Sequence, residues 1–399
     1  MKVIRRISVP GRWCVHSYYT LDPVAPDGSG RLLLAGVDLK TGLGKVYVTG
    51  ADGKVEDEFG ENRVESNFFH TGFWQTWSPD CRYVYFQSGS LTEPKVTRRE
   101  LATGQKITLR GDAEGAPPHG EPIASGLLGM LYAAGYGYGD YNPSIAPVPF
   151  EDRTRHGVFE YTFDPPRETL RLSVQQFLDA NPDREKLLAE DRRLAEVYGT
   201  PTGLTLMCYC IRWNRDGSRM MIHFGNHCVA RKEPKVLYLF TCKRDFTDLH
   251  LALNLENGGV HWSWHPDCEH LVGYSKMPGG DQLIFSMVRY DGTGWRQACD
   301  AAGSGHPSVS PGDPNLMVTD TKTGNIDFWD LEDNRIVDSC FFPDHQASPI
   351  LKKSSYGSSR NETRVCHHPV FSRDGSRVLF NAFNGDLSEL VEVEVPRRK

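Results

Sequence analysis

GGVHWSWHPD (258–267), SGHPSVSPGDP (304–314) and CHHPVFSRDG (366–375) are three versions of one phrase in a chain of 399 residues. Each version has an alternating apolar pattern, ends in a Pro, Asp or Gly turn and is followed by a second apolar run. This pattern indicates a strand, a tight turn and an antiparallel strand. The three phrases therefore predict three repeats of one β-sheet unit.

Aligned at their turns, the three phrases also share a histidine. The turn residues are Pro266, Pro311 and Arg373. The residue five places before each turn is His261, His306 or His368. Because repeats of this type stack, equivalent positions become neighbours in space. The sequence therefore predicts that three imidazoles converge.

Weaker copies extend the repeat along the whole chain. Four further turns are recognised, at Pro26, at Pro79, near 121–135 and at Arg215. Where copies adjoin, successive turns lie 45 to 62 residues apart, which is about the length of a four-stranded propeller blade. We therefore expect residues 1–399 to form a single all-β domain, a seven-bladed β-propeller.

The interval before the fourth blade is longer than one blade and carries a helical pattern. Asn181–Asp183 is a helix start signal, apolar residues then recur at helical spacing, and Gly199 can end the helix. These signals predict a helical insertion at 164–202, between the third and fourth blades. The alternative is an eighth blade, which the lack of strand alternation over 171–199 disfavours.

Composition excludes several classes of partner. Charged residues make up 24% of the chain, aromatic residues make up 11%, and the net charge is −6, which gives no sign of a nucleic-acid or membrane surface. No apolar run is long enough for a membrane span or a signal peptide. The ten cysteines include no CxxC pair, so reduced thiols in a cytoplasmic protein are expected. We expect a monomer or a small homo-oligomer.

Other reactive residues are expected at the same mouth of the channel. Cys366 lies two residues before His368 and therefore faces the same side of its strand. Arg231 and Lys232 lie in the predicted loop between the second and third strands of the fourth blade, beside the blade of His261. These residues could act together with the imidazoles.

Two further histidines, His16 and His70, lie upstream of the first two turns, on the approach to the same mouth. A single histidine in a strand is usually a hydrogen-bonded channel residue, and this remains the alternative for each one. Three histidines in one register instead favour a metal site or an acid–base site.

Three stretches resemble the oligogalacturonate lyase family. They are HSYYTLDPVAPDGSGRLLLAGVDLKTG (16–42), HPSVSPGDPNLMVTDT (306–321) and HHPVFSRDGSRVLFNA (367–382). The resemblance implies a cytoplasmic seven-bladed propeller that cleaves short pectin fragments by β-elimination. Related propellers act on other uronic-acid oligosaccharides, so the substrate implied is a uronate-containing oligosaccharide.

The resemblance also implies roles for individual residues. His306 and His368 would bind a divalent metal, commonly manganese, and His261 would act as the base. Arg231 is the positional match for the assisting arginine. Cys366 stands where the family has the first His of a His-x-His pair, and no Gln precedes it. A set of two His and one Cys also suits zinc, and calcium is a further alternative.

The chemistry matches these residue types. β-Elimination beside a uronate removes a weakly acidic C5 proton, which becomes easier when a metal or a cation neutralises the carboxylate. A neutral histidine is suited to take this proton. Tyr18, Tyr19 and a metal-bound water are the candidates for the leaving-group acid. The oligosaccharide is expected to contact His16, His70, Tyr18 and Lys232.

Two other classes of function are consistent with a propeller. One is a carbohydrate- or protein-binding module without chemistry, in which the histidines are hydrogen-bonded internally. The other is a glycoside hydrolase acting on uronate-containing glycans, which would need paired carboxylates across the channel mouth.

Overall fold

The sheets of this protein follow one another along the chain and surround a central channel. The computed structural model describes residues 1–63, 70–89, 94–111, 113–126, 152–226, 233–277, 279–303, 305–347 and 362–398. Within these ranges the strands form seven radial sheets and one short hairpin. The predicted seven-bladed β-propeller is confirmed.

The first three blades each contain consecutive antiparallel strands. Blade 1 contains β2 (Trp13–Val15), β3 (Leu32–Asp38), β4 (Leu43–Thr49) and β5 (Val55–Arg63). Blade 2 contains β6 (Thr76–Trp77), β7 (Tyr83–Gly89), β8 (Pro94–Glu100) and β9 (Lys106–Arg110). Blade 3 contains β10 (Ile123–Ser125), β11 (Gly157–Phe163) and β12 (Pro166–Ser173).

The remaining blades have four strands each. Blade 4 contains β13 (Met207–Trp213), β14 (Arg219–Gly225), β15 (Leu237–Lys243) and β16 (His250–Asn254). Blade 5 contains β17 (Gly259–Trp264), β18 (His270–Lys276), β19 (Leu283–Arg289) and β20 (Arg296–Ala302). Blade 6 contains β21 (Ser308–Val309), β22 (Leu316–Asp320), β23 (Asn325–Asp330) and β24 (Arg335–Phe341). Blade 7 contains β27 (Val370–Phe371), β28 (Arg377–Asn384), β29 (Leu387–Glu394) and β1 (Val3–Ile7). The hairpin of β25 (His345–Ala347) and β26 (Glu362–Arg364) lies between blades 6 and 7 in sequence.

Burial changes with position in a blade. All seven residues of β14 are buried, because both faces of a second strand are covered by the neighbouring blades. In the outermost strand β24 no residue is buried. The hydrophobic core is therefore distributed between neighbouring blades around the ring, which explains why the second strands are nearly continuous apolar runs in the sequence.

The ring is closed by the two ends of the chain. β1 forms the outer strand of blade 7 and pairs antiparallel with β29, with Ile7 opposite Leu390. Arg5 also forms an ion pair with Glu392, whose side chain is fully buried. This pairing holds the first residues of the chain against the last blade.

Two helices lie between blades 3 and 4. Helix α1 (Val174–Asp179) begins at the N-cap Ser173, which forms a capping box with Gln176. Helix α2 (Arg184–Tyr198) ends at Gly199, which has a left-handed conformation with φ of 63°. The helical start and stop signals read from the sequence are therefore confirmed.

The predicted boundaries of the insertion, 164–202, were wrong at the N-terminal side. Pro166–Ser173 forms strand β12, the outer strand of blade 3. Leu172 packs in one apolar cluster and Leu170 against another, because the pairing with β11 shifts by one residue between them, and the outer position leaves the first residues of the strand exposed. This partial exposure weakens the period-two pattern, and the strand was therefore missed in the sequence.

The helices pack against blade 4. In α1, the Phe177 ring lies 5.7 Å from the Phe224 ring and 5.2 Å from the Phe240 ring, measured between centroids. In α2, Leu187 and Leu194 are buried in the same apolar cluster. Within the described ranges, no helix is long and apolar enough to cross a membrane.

The closing strand gives a direct test of its contribution to stability. Ile7 is 2% exposed in the closing strand, whereas Val3 in the same strand is 41% exposed. We expect Ile7→Ala to lower the free energy of unfolding by about 2–5 kcal/mol, because it leaves a cavity beside β29. The matched substitution Val3→Ala should change it by less than about 0.5 kcal/mol. Chemical denaturation measures both values, and equal effects would show that β1 does not stabilise the ring through burial.

Candidate functional site

Five imidazoles meet in the channel, and we call them the histidine cluster. The His306 ring lies 4.2 Å from the His368 ring and 4.1 Å from the His261 ring, measured between centroids. The rings of His70 and His16 lie 5.8 Å and 6.4 Å from that of His368. His261 is half-buried and the other four are buried. All five histidines that the sequence singled out therefore lie together.

The backbone of the inner strands turns these side chains toward the channel. In blade 5 the pairing shifts by one residue between Val260 and Ser263, and the intervening His261 has a φ of 55°. His368 has a φ of 47° at the same register of blade 7. Trp74 and Cys210 occupy this register in blades 2 and 4, with φ values of 53° and 48°. A bulge of this kind redirects a side chain from the sheet, and histidine is one of the residues that tolerate positive φ.

The side chain of His306 is oriented by a carboxylate and not by a backbone bulge. Its backbone N–H donates to the Asp320 carboxylate at 2.6 Å, and its ring Nδ1 lies 3.0 Å from both oxygens of the same group. Burial alone would raise the pKa of Asp320, but the adjacent His306 holds it below its usual value. The ionised carboxylate therefore fixes the proton of the imidazole on Nδ1 and leaves Nε2 directed away from it.

Within the histidine cluster, His368 stands out because both of its ring nitrogens are buried without a hydrogen-bond partner, as are those of His119 outside the cluster. Nδ1 of His16 is also buried without a partner, while its Nε2 lies 2.8 Å from the backbone carbonyl of His368. The adjacent His367 is the opposite case, since its two nitrogens lie 2.7 Å and 3.1 Å from backbone carbonyls. The ring of His367 is thus held in place by backbone carbonyls, whereas the unpartnered nitrogens of His368 mark a site that a ligand could satisfy.

Burial keeps three imidazoles of the cluster uncharged. It lowers the pKa of His261 and of His368 well below the usual value, and in both cases the neighbouring His306 lowers it further. Burial also lowers the pKa of His16 to about 4. These three imidazoles are therefore neutral near pH 7, which is the form that binds a metal or accepts a proton.

Two tyrosines line the cluster on its inner side. The Tyr18 ring lies 4.6 Å from that of His368 and 5.7 Å from that of His306. The Tyr19 ring lies 5.4 Å from that of His306, and its hydroxyl donates to the Trp262 carbonyl at 3.4 Å. Burial raises the pKa of Tyr18 well above its usual value, so its hydroxyl stays protonated.

A buried ion pair lies below the tyrosines. Arg212 donates to both oxygens of Glu114, at 2.5 Å and 2.7 Å, and also to the Tyr19 hydroxyl at 3.2 Å. The same guanidinium donates to the backbone carbonyl of Trp262. Glu114 lies in the segment before β10 that lines the channel in blade 3. The pair therefore joins blades 3, 4 and 5 across the channel.

Sequence reasoning missed Asp320, Arg212 and Glu114. Arg212 had a usable signal, since it is the one charged residue in the inner strand MCYCIRW (207–213). Asp320 ends an apolar run and reads as an ordinary turn residue. Glu114 lies in a stretch without a strand pattern. Only Arg212 could have been found before the structure.

The other predicted site residues are Cys366, Arg231 and Lys232. Cys366 is buried, and its carbonyl accepts a hydrogen bond from Asn381. Arg231 and Lys232 lie outside the described residues. The cation that the described residues place beside the cluster is Arg212, whose charge contributes to the lowered pKa of His261.

The histidine cluster offers a metal two imidazole ligands, which is fewer than a complete metal site needs. The unpartnered nitrogens of His368 and the Nε2 of His306 are the donors that a divalent ion would use. The Asp320 carboxylate supplies the usual outer contact to a metal-binding imidazole. Among the described residues, however, no three His, Cys, Asp or Glu side chains are arranged to hold an ion.

Comparison with solved structures gives a likeness in fold. An oligogalacturonate lyase in complex with manganese matches with a TM-score of 0.61 and 14% identity, over 98% of this chain and 92% of that one. The oligogalacturonate lyase from Vibrio parahaemolyticus matches with a TM-score of 0.59 and 13% identity, over 98% and 93%. The β-propeller domain of Cps50 (Swd1) from Myceliophteria thermophila matches with a TM-score of 0.52 and 12% identity, over 98% of each chain.

Comparison of the sequence gives no family. No protein-family model matches this chain, and no curated protein matches it either. At 12–14% identity the structural likeness establishes the propeller fold alone, because this fold carries many unrelated functions.

The buried ion pair can be tested by a double-mutant cycle. Arg212→Met should lower the free energy of unfolding by about 3–5 kcal/mol, because it leaves the Glu114 carboxylate buried without its counter-charge. Adding Glu114→Gln should recover part of this loss. The exposed pair Arg82–Glu100 is the control, and its cycle should give no measurable coupling. Additive effects of Arg212→Met and Glu114→Gln would show that the two side chains are not coupled.

Proposed function

We propose that this protein is a carbohydrate lyase that cleaves short uronic-acid oligosaccharides by metal-assisted β-elimination. The observation that carries the proposal is the histidine cluster, in which His368 has two buried nitrogens without partners. Its supports are the sequence resemblance to oligogalacturonate lyases and the likeness of fold to two of them. The substrate class is a uronate oligosaccharide.

In this proposal His306 and His368 hold a divalent metal, with manganese as the first candidate and zinc or calcium as alternatives. Cys366 is the proposed third ligand. When bound, such an ion neutralises the uronate carboxylate and thereby makes the neighbouring C5 proton more acidic. Asp320 holds His306 in the orientation that leaves Nε2 available.

His261 is the proposed base. Its Nδ1 lies 2.7 Å from the Gly305 carbonyl, which can only accept a hydrogen bond, so Nδ1 carries the proton and Nε2 carries the free lone pair. Its lowered pKa keeps it neutral at physiological pH. The half-buried ring lets a substrate approach, whereas the fully buried His368 is less accessible. These properties suit His261 to accept the C5 proton.

The remaining roles follow from the neighbours of the cluster. Tyr18 is the proposed leaving-group acid, because its protonated hydroxyl belongs to a ring beside His306 and His368, whereas the hydroxyl of Tyr19 is already bonded. His16 and His70 are proposed to contact the oligosaccharide. Arg231 remains proposed as the assisting arginine, and Lys232 remains proposed as a contact of the oligosaccharide.

Arg212 adds a positive charge below the cluster. It would offset the negative charge that builds on the substrate as the C5 proton leaves. A cytoplasmic location and a monomeric or small homo-oligomeric state remain predictions from the sequence.

A binding propeller without chemistry is the second candidate, because no complete three-ligand metal group exists among the described residues. A glycoside hydrolase is less consistent with the site. The carboxylates of Asp320 and Glu114 are each bonded to an imidazole or a guanidinium, which leaves neither as the free acid or base that hydrolysis needs.

The activity itself is tested with a panel of oligouronides, including oligogalacturonate. We expect cleavage to generate the ultraviolet absorbance of an unsaturated uronate, and a chelator to abolish it until divalent metal is restored. New reducing ends without this absorbance would indicate hydrolysis instead of elimination. Binding of the panel without cleavage would favour the binding propeller.

The roles of the histidines are separated by two variants. His261→Asn tolerates the positive φ at this position and should lower kcat by about 10²–10⁴-fold while bound metal, measured by elemental analysis, is unchanged. His306→Ala should lose metal and activity together. His270, a half-buried histidine outside the cluster, gives the control, His270→Ala, with unchanged kcat. Near-normal turnover in His261→Asn would show that the base is a different residue.

A further inference from the structure

A cavity lies on the far side of the Arg212–Glu114 pair from the histidine cluster, and we call it the lower cavity. Its volume is about 470 Å³, which is in the range typical of small-molecule sites. Its lining residues come from the ends of inner strands and from the turns that follow them. Tyr19 and Arg212 line it as well, so the floor of the histidine cluster is also one wall of this cavity.

Two arginines lie at the turns that border the lower cavity. Arg215 of blade 4 and Arg373 of blade 7 occupy the register that holds proline in four other blades: Pro26, Pro79, Pro266 and Pro311. Because proline forms the same turn elsewhere in the chain, the turn geometry does not require arginine at these two positions. The guanidinium groups therefore need another explanation.

The two side chains differ in their contacts. Arg215 reaches across the channel and donates to the backbone carbonyls of Pro311, at 3.0 Å, and of Arg373, at 3.3 Å. Within the described ranges, the guanidinium of Arg373 makes no hydrogen bond, whereas its backbone N–H donates to the Asp22 carboxylate at 2.8 Å. A carboxylate would be a stronger acceptor for either guanidinium than the neutral carbonyls are.

The charge of the lining favours a singly charged anion. Three guanidinium groups, those of Arg212, Arg215 and Arg373, face the carboxyl groups of Asp22 and Glu114. One positive charge therefore remains when both carboxyl groups are ionised. Burial raises the pKa of Asp22 to about 6, so this carboxyl group adds less negative charge as the pH falls.

The rest of the lining suits a ring that carries hydroxyl groups or an aromatic face. Trp213 and Trp264 are half-buried and contribute large apolar surfaces. The hydroxyl of Thr20 is buried without a hydrogen-bond partner. A ligand of this kind would contact aromatic rings with its body and satisfy this hydroxyl with a polar substituent.

We propose that the lower cavity binds a small ring-bearing monocarboxylate, with its carboxylate between Arg373 and Arg215 and its ring against Trp264. Arg215 would exchange its two carbonyl acceptors for the carboxylate and so close over the bound molecule. The Arg212–Glu114 pair separates this site from the histidine cluster. The proposal is therefore independent of lyase activity.

The test is isothermal titration calorimetry on the full chain with four probes: glucuronate, benzoate, glucose and inorganic phosphate. We expect glucuronate, benzoate or both to bind and glucose not to bind. The two carboxylates distinguish a sugar acid from an aromatic acid as the preferred class. Arg373→Gln and Arg215→Gln should each weaken binding by at least about tenfold, since each removes a charged hydrogen-bond donor.

Two controls separate this site from its surroundings. Arg192→Gln removes an exposed charge on helix α2 and should leave the affinity unchanged. His306→Ala disrupts the histidine cluster and should also leave it unchanged. The proposal is overturned if neither carboxylate binds, if glucose binds as well as glucuronate, or if phosphate alone binds. It is equally overturned if both arginine variants keep full affinity or if His306→Ala abolishes binding.

Discussion

The pairing of β1 with β29 is the contact on which the remaining geometry depends. A row of antiparallel sheets has two open ends, and each inner strand has a fixed position only when the row closes into a ring. Here the outer strand of blade 7 comes from the start of the chain, and the buried Glu392 accepts both Arg5 and Arg377 at the junction. Closure brings blades 5, 6, 7 and 1 around one channel.

Closure of the ring removes water from polar groups inside the channel, which costs free energy unless these groups find hydrogen-bond partners in the protein. Several of them have such partners. His367 bonds two carbonyls, and His306 bonds a carboxylate. His368 has neither arrangement, although it is fully buried. A desolvated polar group without a partner costs about 1–3 kcal/mol. This cost is offset if a bound ligand supplies the missing partner, which is the physical basis for regarding the cluster as a functional site.

The Arg212–Glu114 pair gives the channel two chemically different ends. On one side of it lie neutral imidazoles and protonated tyrosines, and on the other side lies a cavity bordered by Arg215 and Arg373. Burying two charges is costly, and a well-packed apolar pair would often be as stable. The pair nevertheless joins three blades and holds Tyr19 and the Trp262 carbonyl in place. Its position therefore affects both ends of the channel.

The sequence by itself determined the repeat, the number of blades, the core of the helical insertion and the shared register of His261, His306 and His368. All of these depend on local patterns: turn residues, strand alternation and helix caps. The outer strand Pro166–Ser173 was missed because exposure weakens its alternation.

Only the tertiary structure decided which polar groups meet. Glu114 and Arg212 are separated by 98 positions, and Asp320 lies at the end of β22, 14 positions from His306. The unpartnered nitrogens of His368 and the arginines around the lower cavity likewise depend on what neighbouring blades place beside them. A repeat fixes where a residue lies within its own blade, whereas closure of the ring fixes which residues of other blades it faces.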